Sequence, residues 1–186
     1  MDLPRVTEVL RGAGLIDMSF VPKDLLERAQ LFGTAVHRAT ELWDKGVLDV
    51  SKLSEPLMPY LAGWMKFKKD YSIDIDPHEM EKQFTSAKWG FKGTPDRWPV
   101  IARKRTLIDI KSSTSMLPAT RIQTAAYEIL LEENGIKVIQ RWCVQLNEKG
   151  TYKIEPYTKT SDRTVFLAAL TVFNFKKEVG LWKPQK

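Results

Sequence analysis

Asp96, Asp109 and Lys111 lie in the stretch GTPDRWPVIARKRTLIDIKSS, residues 93 to 113, whose other residues read as a β-hairpin. In a strand, residues two apart share a face, so Asp109 and Lys111 point one way while Ile108 and Ile110 point into the opposite layer. Asp96 precedes Asp109 by thirteen residues, and a hairpin with its tip near ARKR would set the two carboxylates side by side. Buried charges are costly unless they are paired or bound to a metal. Facing carboxylates repel unless a cation lies between them, and hard oxygen ligands favour Mg²⁺ or Mn²⁺. An ammonium beside them could hold a nucleophilic water or a reacting phosphate. Taken alone, the acid-x-Lys tripeptide is weak evidence, because a salt-bridged pair on a solvated edge strand explains it more simply.

Further candidates stand on either side. His37 follows Gly33 by one helical turn, where the missing side chain would let backbone or metal approach closely. A lone helical histidine is otherwise an ordinary core or surface residue. Gln123 and Tyr127 are four apart on one helix face, a donor pair suited to a phosphate or a base, or else polar decoration and a core tyrosine. Glu79 and Glu81 share a strand face upstream of Asp96.

The elements that must position these residues follow from periodicity. Residues 22 to 45 carry Leu25, Leu26, Ala29, Phe32, Val36, Ala39 and Trp43 at helical spacing, with Gly46 as a stop. A second helix is expected over 54 to 71, strands over about 79 to 86, 89 to 97 and 100 to 111, and a strong helix ending at Gly135. A hairpin with Asn147 to Gly150 at its turn comes next, then a helix over about 162 to 178. The order predicts an α/β fold with a sheet of mixed direction.

The chain has 186 residues and a net charge of +6, all of it carried by residues 137 to 186, which suits a polyanionic partner or a solubilising surface. Its length fits one domain with a real core. Cys143 is the only cysteine, which excludes a disulfide framework. The opening residues lack the apolar stretch of a secretory signal, and no run is long enough to span a bilayer. The expectation is a cytoplasmic protein with no membrane partner.

Taken in order, GTAVH, EKQFTSAKWGFKGTPD, DIK and QTAAY make the sequence resemble the PD-(D/E)XK nuclease superfamily, and within it the RecB-like exonuclease branch. The carrying residues are Gly33 with His37, Gly93 with Asp96, Asp109 with Lys111, and Gln123 with Tyr127, and the opening RVTEVLRGAGL looks like small phage-encoded members. The resemblance implies a restriction-endonuclease-like core: a central mixed β-sheet flanked by helices, with N-terminal helices over the active site. It implies one nuclease domain over 1 to 186, helical over 1 to 75 and catalytic over 76 to 186. Asp96, Asp109, the carbonyl of Ile110 and His37 would bind one or two Mg²⁺ or Mn²⁺ ions, with Lys111 orienting the attacking water or stabilising the transition state. Glu81 is the choice for the upstream acid, with Glu79 as the alternative. Gln123, Tyr127, Arg121 and Lys92 would contact DNA, although surface exposure accounts equally well for the last two. The iron–sulfur relatives are excluded, because one cysteine cannot hold a cluster. The implied function is a DNA exonuclease of phage or bacterial recombination, repair or replication. The alternatives are a structure- or sequence-specific endonuclease and a non-catalytic DNA-binding module. WMKFKKDY, residues 64 to 71, interleaves aromatic and basic side chains and would suit stacking on bases, although most rings at helical spacing belong to a core.

Overall fold

A computed structural model describes residues 3 to 113 and 117 to 182. Five α-helices and six strands follow in the order α1 (Val6–Gly12), α2 (Lys23–Asp44), α3 (Met58–Asp70), β1 (Phe84–Ser86), β2 (Phe91–Gly93), β3 (Val100–Ile101), β4 (Lys104–Lys111), α4 (Ala119–Glu133), β5 (Gln140–Leu146), β6 (Tyr152–Tyr157) and α5 (Ser161–Glu178). The main sheet has the order β3-β4-β5-β6, with β4 and β5 parallel and the other neighbours antiparallel. The parallel pair needs a crossover, and α4 supplies it. The expected mixed α/β sheet is therefore present.

The segment read as one strand over 100 to 111 is two. Ala102 and Arg103 have φ of 46° and 66°, a two-residue turn of the kind whose twist suits a hairpin. They separate β3 from β4, and the tip falls within ARKR. The expected strand over 79 to 86 is also shorter, because a single 3₁₀ turn occupies Pro77–Glu79 and the regular ladder begins only at Phe84.

The register explains how the small β1–β2 hairpin joins the large sheet. Phe84 pairs with Gly93, and the same register reappears at an isolated bridge between Met80 and Arg97. Arg97 in turn bridges Ile108, in the register that pairs Val100 with Arg105. Between these points, residues 81 to 83 face 94 to 96 without regular pairing, and Pro95 has no N–H to offer a ladder. The sheet is thus interrupted around Asp96, between the irregular residues 81 to 83 on one side and Ile110 on the other.

Two apolar cores flank the sheet. One gathers α1, α4 and α5 on Phe91, Trp98 and Leu107; the other gathers α2 and α3 on Ile108, Ile110, Val144 and Leu146. The alternation of Leu107 and Ile108 between them is the two-residue period of β4. α2 packs from Phe32 onward: Phe32 meets the Tyr60 ring, and Val36 and Ala39 are buried, whereas Leu25 and Leu31 are 56% and 65% exposed. The apolar period expected along all of residues 22 to 45 therefore meets a partner over half its length. Among the described residues no helix is long and apolar enough to cross a membrane.

Candidate metal centre

The hairpin register that pairs Arg97 with Ile108 places Asp96 opposite Asp109. One step further it would pair residue 95 with Ile110. Pro95 cannot donate to the Ile110 carbonyl, and the Ile110 amide instead donates to Asp96 Oδ2 at 2.7 Å. In β4 the peptide groups of residues 108 and 110 face the same side, and both peptide groups of Ile108 are taken by Arg97 at 2.8 and 3.3 Å. The Ile110 carbonyl accordingly faces the tear in the sheet, where Asp96 stands.

His37, Glu81 and Asp96 converge at that tear. Each can offer one ligand atom, and these atoms all lie within 4.8 Å of one another. His37 Nδ1 is 3.7 Å from Asp96 Oδ1 and 3.9 Å from Glu81 Oε1. Glu81 reaches the group through a left-handed backbone, φ 46°, while its amide still donates to the Asp96 carbonyl at 3.1 Å. A non-glycine residue in that region carries local strain, which persists only where surrounding structure enforces it. Burial works against charge on His37, but Asp96 and Glu81 outweigh it and raise the imidazole pKa.

Asp109 is 1% exposed. Lys111 Nζ lies 2.8 Å from its Oδ2, yet neither carboxylate oxygen makes a directed hydrogen bond among the described residues. Burial, reinforced by the Asp96 carboxylate, raises its pKa against the opposing pull of Lys111. Burial disfavours the Lys111 ammonium, but Asp109 and Asp96 outweigh that and raise its pKa, so the side chain is cationic at neutral pH. A buried carboxylate whose partner among the described residues is the Lys111 ammonium, a second one opposite it, an imidazole and an outward-facing carbonyl form a hard, oxygen-rich donor set. That set fits a divalent cation such as Mg²⁺ or Mn²⁺.

On the α4 side, Gln123 Oε1 accepts from Lys111 at 3.4 Å and Gln123 Nε2 donates to the Tyr127 hydroxyl at 2.9 Å. Burial is the main cause of the raised Tyr127 pKa, with Asp109 and Asp96 adding to it, so the phenol stays protonated. Gly93 makes this packing possible. A Cβ there would lie 2.8 Å from the Tyr127 ring and 3.0 Å from both Leu130 and Val6. A Cβ on Gly33 would approach Ser112 Oγ at 3.6 Å, so that glycine faces the residue after Lys111.

The remaining candidates are placed elsewhere. Glu79 pairs with Arg105, away from His37. Arg121 is held 2.9 Å from buried Asp162, which also binds Arg141 at 3.1 Å. Lys92 is half-buried in β2, its amide bonded to the Pro4 carbonyl at 2.9 Å. Trp64 and Phe67 are fully buried, so these two rings of WMKFKKDY belong to the core and cannot stack on bases. The helical period of Leu61, Trp64 and Phe67 against the sheet outweighs the alternation of ring and cation.

One group escaped the sequence reading. Asp44 and Arg97 have side chains with no exposed surface, and Arg97 Nε lies 2.9 Å from Asp44 Oδ2. Arg97 Nη1 also donates to Glu81 Oε1 at 2.8 Å and to the Asp96 carbonyl at 2.7 Å. Trp64 Nε1 and Lys68 Nζ complete the shell of Asp44 at 3.0 and 2.8 Å. The available signal was an arginine directly after Asp96, on a strand expected to be buried.

No family model and no curated protein matches the chain. Among solved structures, the chain is similar to a protein from Eubacterium rectale titled "Putative exonuclease", with a TM-score of 0.55 at 13% identity over 83% of this chain and 70% of that one. A weaker similarity, with a TM-score of 0.40 at 10% identity, is to an alkaline exonuclease from Laribacter hongkongensis, over 78% of this chain and 92% of that one. At such identities the first similarity shows a shared fold.

Proposed function

From that fold and the groups gathered at the torn sheet edge, we propose that the protein is a divalent-metal-dependent deoxyribonuclease that degrades DNA from an end. The observation that carries the reading is the convergence of His37, Glu81 and Asp96, with Asp109 in register beside Asp96. In this reading His37, Asp96, Asp109 and the carbonyl of Ile110 hold the metal, Glu81 is the upstream acid beside them, and a bound divalent ion would acidify a water and neutralise charge on the scissile phosphate. Lys111 is the general electrostatic partner: its ammonium can donate to the attacking water or to a phosphate oxygen. Gln123 receives that ammonium and is itself held by Tyr127, and both are proposed as contacts to the substrate. Lys92 and Arg121 are proposed to act only as peripheral contacts to the DNA backbone.

The preference for an end rests on the free N-terminal half of α2. It carries exposed Leu25 and Leu31 and meets the segment after Lys111 at Gly33, so it can cover a strand entering the site. Threading beneath a cover requires a terminus, whereas an open groove does not. The test compares an end-labelled linear single strand with a covalently closed circle of the same sequence, in Mg²⁺ or Mn²⁺. Progressive loss of the linear strand with survival of the circle is expected. Equal rates on nick-free circles would transfer the assignment to an endonuclease, and binding without cleavage of either would indicate a non-catalytic DNA-binding module.

A further inference from the structure

Resting on the metal-site reading above, we propose that Arg97 is the positioning residue of that site, a buried clamp that fixes Glu81 and Asp96 relative to the helix carrying His37. The guanidinium joins two segments remote in sequence, at Asp44 and Glu81, to its own strand, where it folds back on the carbonyl of the preceding residue, Asp96. Its Nη1 binds the Glu81 oxygen that faces His37, and also the backbone carbonyl of Asp96, at 2.8 and 2.7 Å. Its Nε binds Asp44 at 2.9 Å. Asp44 ends α2 seven residues after His37, about two turns along the same helix. The clamp therefore closes a loop through α2, Glu81 and Asp96 at the place where the sheet ladder is interrupted.

The cost of this arrangement argues that it is there for what it holds. Arg97 lies within the core formed by Val36, Trp64, Phe67 and Ile108, and its Cζ stands 5.9 Å from the Trp64 ring centroid. An apolar side chain of similar volume would avoid desolvating a charge there. Asp44 is an acid at a helix C-terminus, unfavourable against the helix dipole, and it is offset by Trp64, Lys68 and Arg97. A planar fork with fixed donor directions can hold a carboxylate and a carbonyl together, whereas an ammonium on a flexible stem holds neither orientation. The left-handed backbone of Glu81 is the conformation that this contact, together with the Asp96 carbonyl, keeps in place.

The experiment is Arg97→Lys, which keeps the charge and loses the fork. Three quantities are measured: the unfolding midpoint, Mn²⁺ affinity without DNA from the electron paramagnetic resonance signal of free Mn²⁺, and kcat and KM on a linear strand. The expected result is a folded protein whose Mn²⁺ dissociation constant rises about 10- to 100-fold. With it, kcat falls, KM for DNA is unchanged, and Glu81→Gln costs less Mn²⁺ affinity when combined with Arg97→Lys than in the wild type. Wild-type Mn²⁺ affinity in a variant that merely melts lower would overturn the proposal. If Arg97→Lys does not fold, Asp44→Asn answers the question, because it keeps a neutral acceptor for Trp64 while removing the charge that anchors Arg97 and Lys68. Weakened Mn²⁺ binding in a folded Asp44→Asn supports the clamp, and unchanged binding overturns it. A wild-type protein that binds no Mn²⁺ overturns the metal-site reading itself, a separate result from failure of the clamp.

Discussion

At the residue scale, the centre is a set of charges that the metal-free protein balances only in part. Asp109 is buried without a directed hydrogen bond among the described residues, Asp96 lies opposite it, and Lys111 and His37 supply the compensating charge. Asp96→Asn and Asp109→Asn should each lower the cleavage rate by at least about a hundredfold while cooperative unfolding persists, since each removes charge aimed at the reacting centre. Circular-dichroism melts beside rate measurements check both halves of that statement. The centre should also show opposite pH trends with and without metal. His37 has its pKa raised in the fold, so its contribution to stability is fully present below its unfolded value of about 6.5 and is lost as pH rises through the folded value. The raised pKa of Asp109 acts with the same sign in a more acidic window. In chelator the melting temperature should therefore fall as pH rises above about 6.5, and His37→Gln should flatten that fall. In Mn²⁺ the trend should reverse, because protons compete with the metal for the same ligands.

At the element scale, two places in the hairpin show where backbone geometry sets the site. Ala102 and Arg103 both occupy left-handed conformations that glycine or asparagine adopt at lower cost. Ala102→Asn combined with Arg103→Gly should stabilise the protein by roughly 1 kcal/mol without changing kcat, as read from urea midpoints and rates. Gly93 presents the reverse case. A methyl group there would press on the Tyr127 ring, Leu130 and Val6, so Gly93→Ala should cost about 1–3 kcal/mol and also lower kcat by displacing the partner of Gln123. Loss of stability with kcat intact would show that Tyr127 does not support Lys111. The period of β4 and the turn within ARKR were legible from sequence, because alternation and turn position are local properties. The tear beside Asp96 was not, since it depends on Pro95 falling opposite Ile110 across a register that no local pattern announces.

At the scale of the whole molecule, two cores share one sheet, and the candidate site lies where that sheet is interrupted. His37, Asp96, Asp109, Lys111, Gln123 and Tyr127 could be named from order and spacing because each sits in a short local motif. Asp44 and Arg97 could not, because their pairing joins residues 53 apart and becomes visible only when α2 is laid against the sheet. The rings of Trp64 and Phe67 show a related limit: a pattern that suits DNA contact also suits an amphipathic core helix, and burial decides for the core here, as it does for most rings at helical spacing. The basic excess over residues 137 to 186 favours a polyanion, so DNA affinity measured in Ca²⁺ should fall steeply with salt. The same Ca²⁺ should give little cleavage, its longer and looser coordination placing water poorly.

The central claim is that this cluster binds a divalent cation and hydrolyses DNA with it. The most direct test follows an end-labelled linear DNA over time with wild type, Asp96→Asn and Asp109→Asn, in Mn²⁺ and in EDTA. Cleavage by wild type in Mn²⁺ alone, absent in EDTA and in both variants, is the predicted result. Undiminished cleavage in EDTA, or by either folded variant in Mn²⁺, would contradict it.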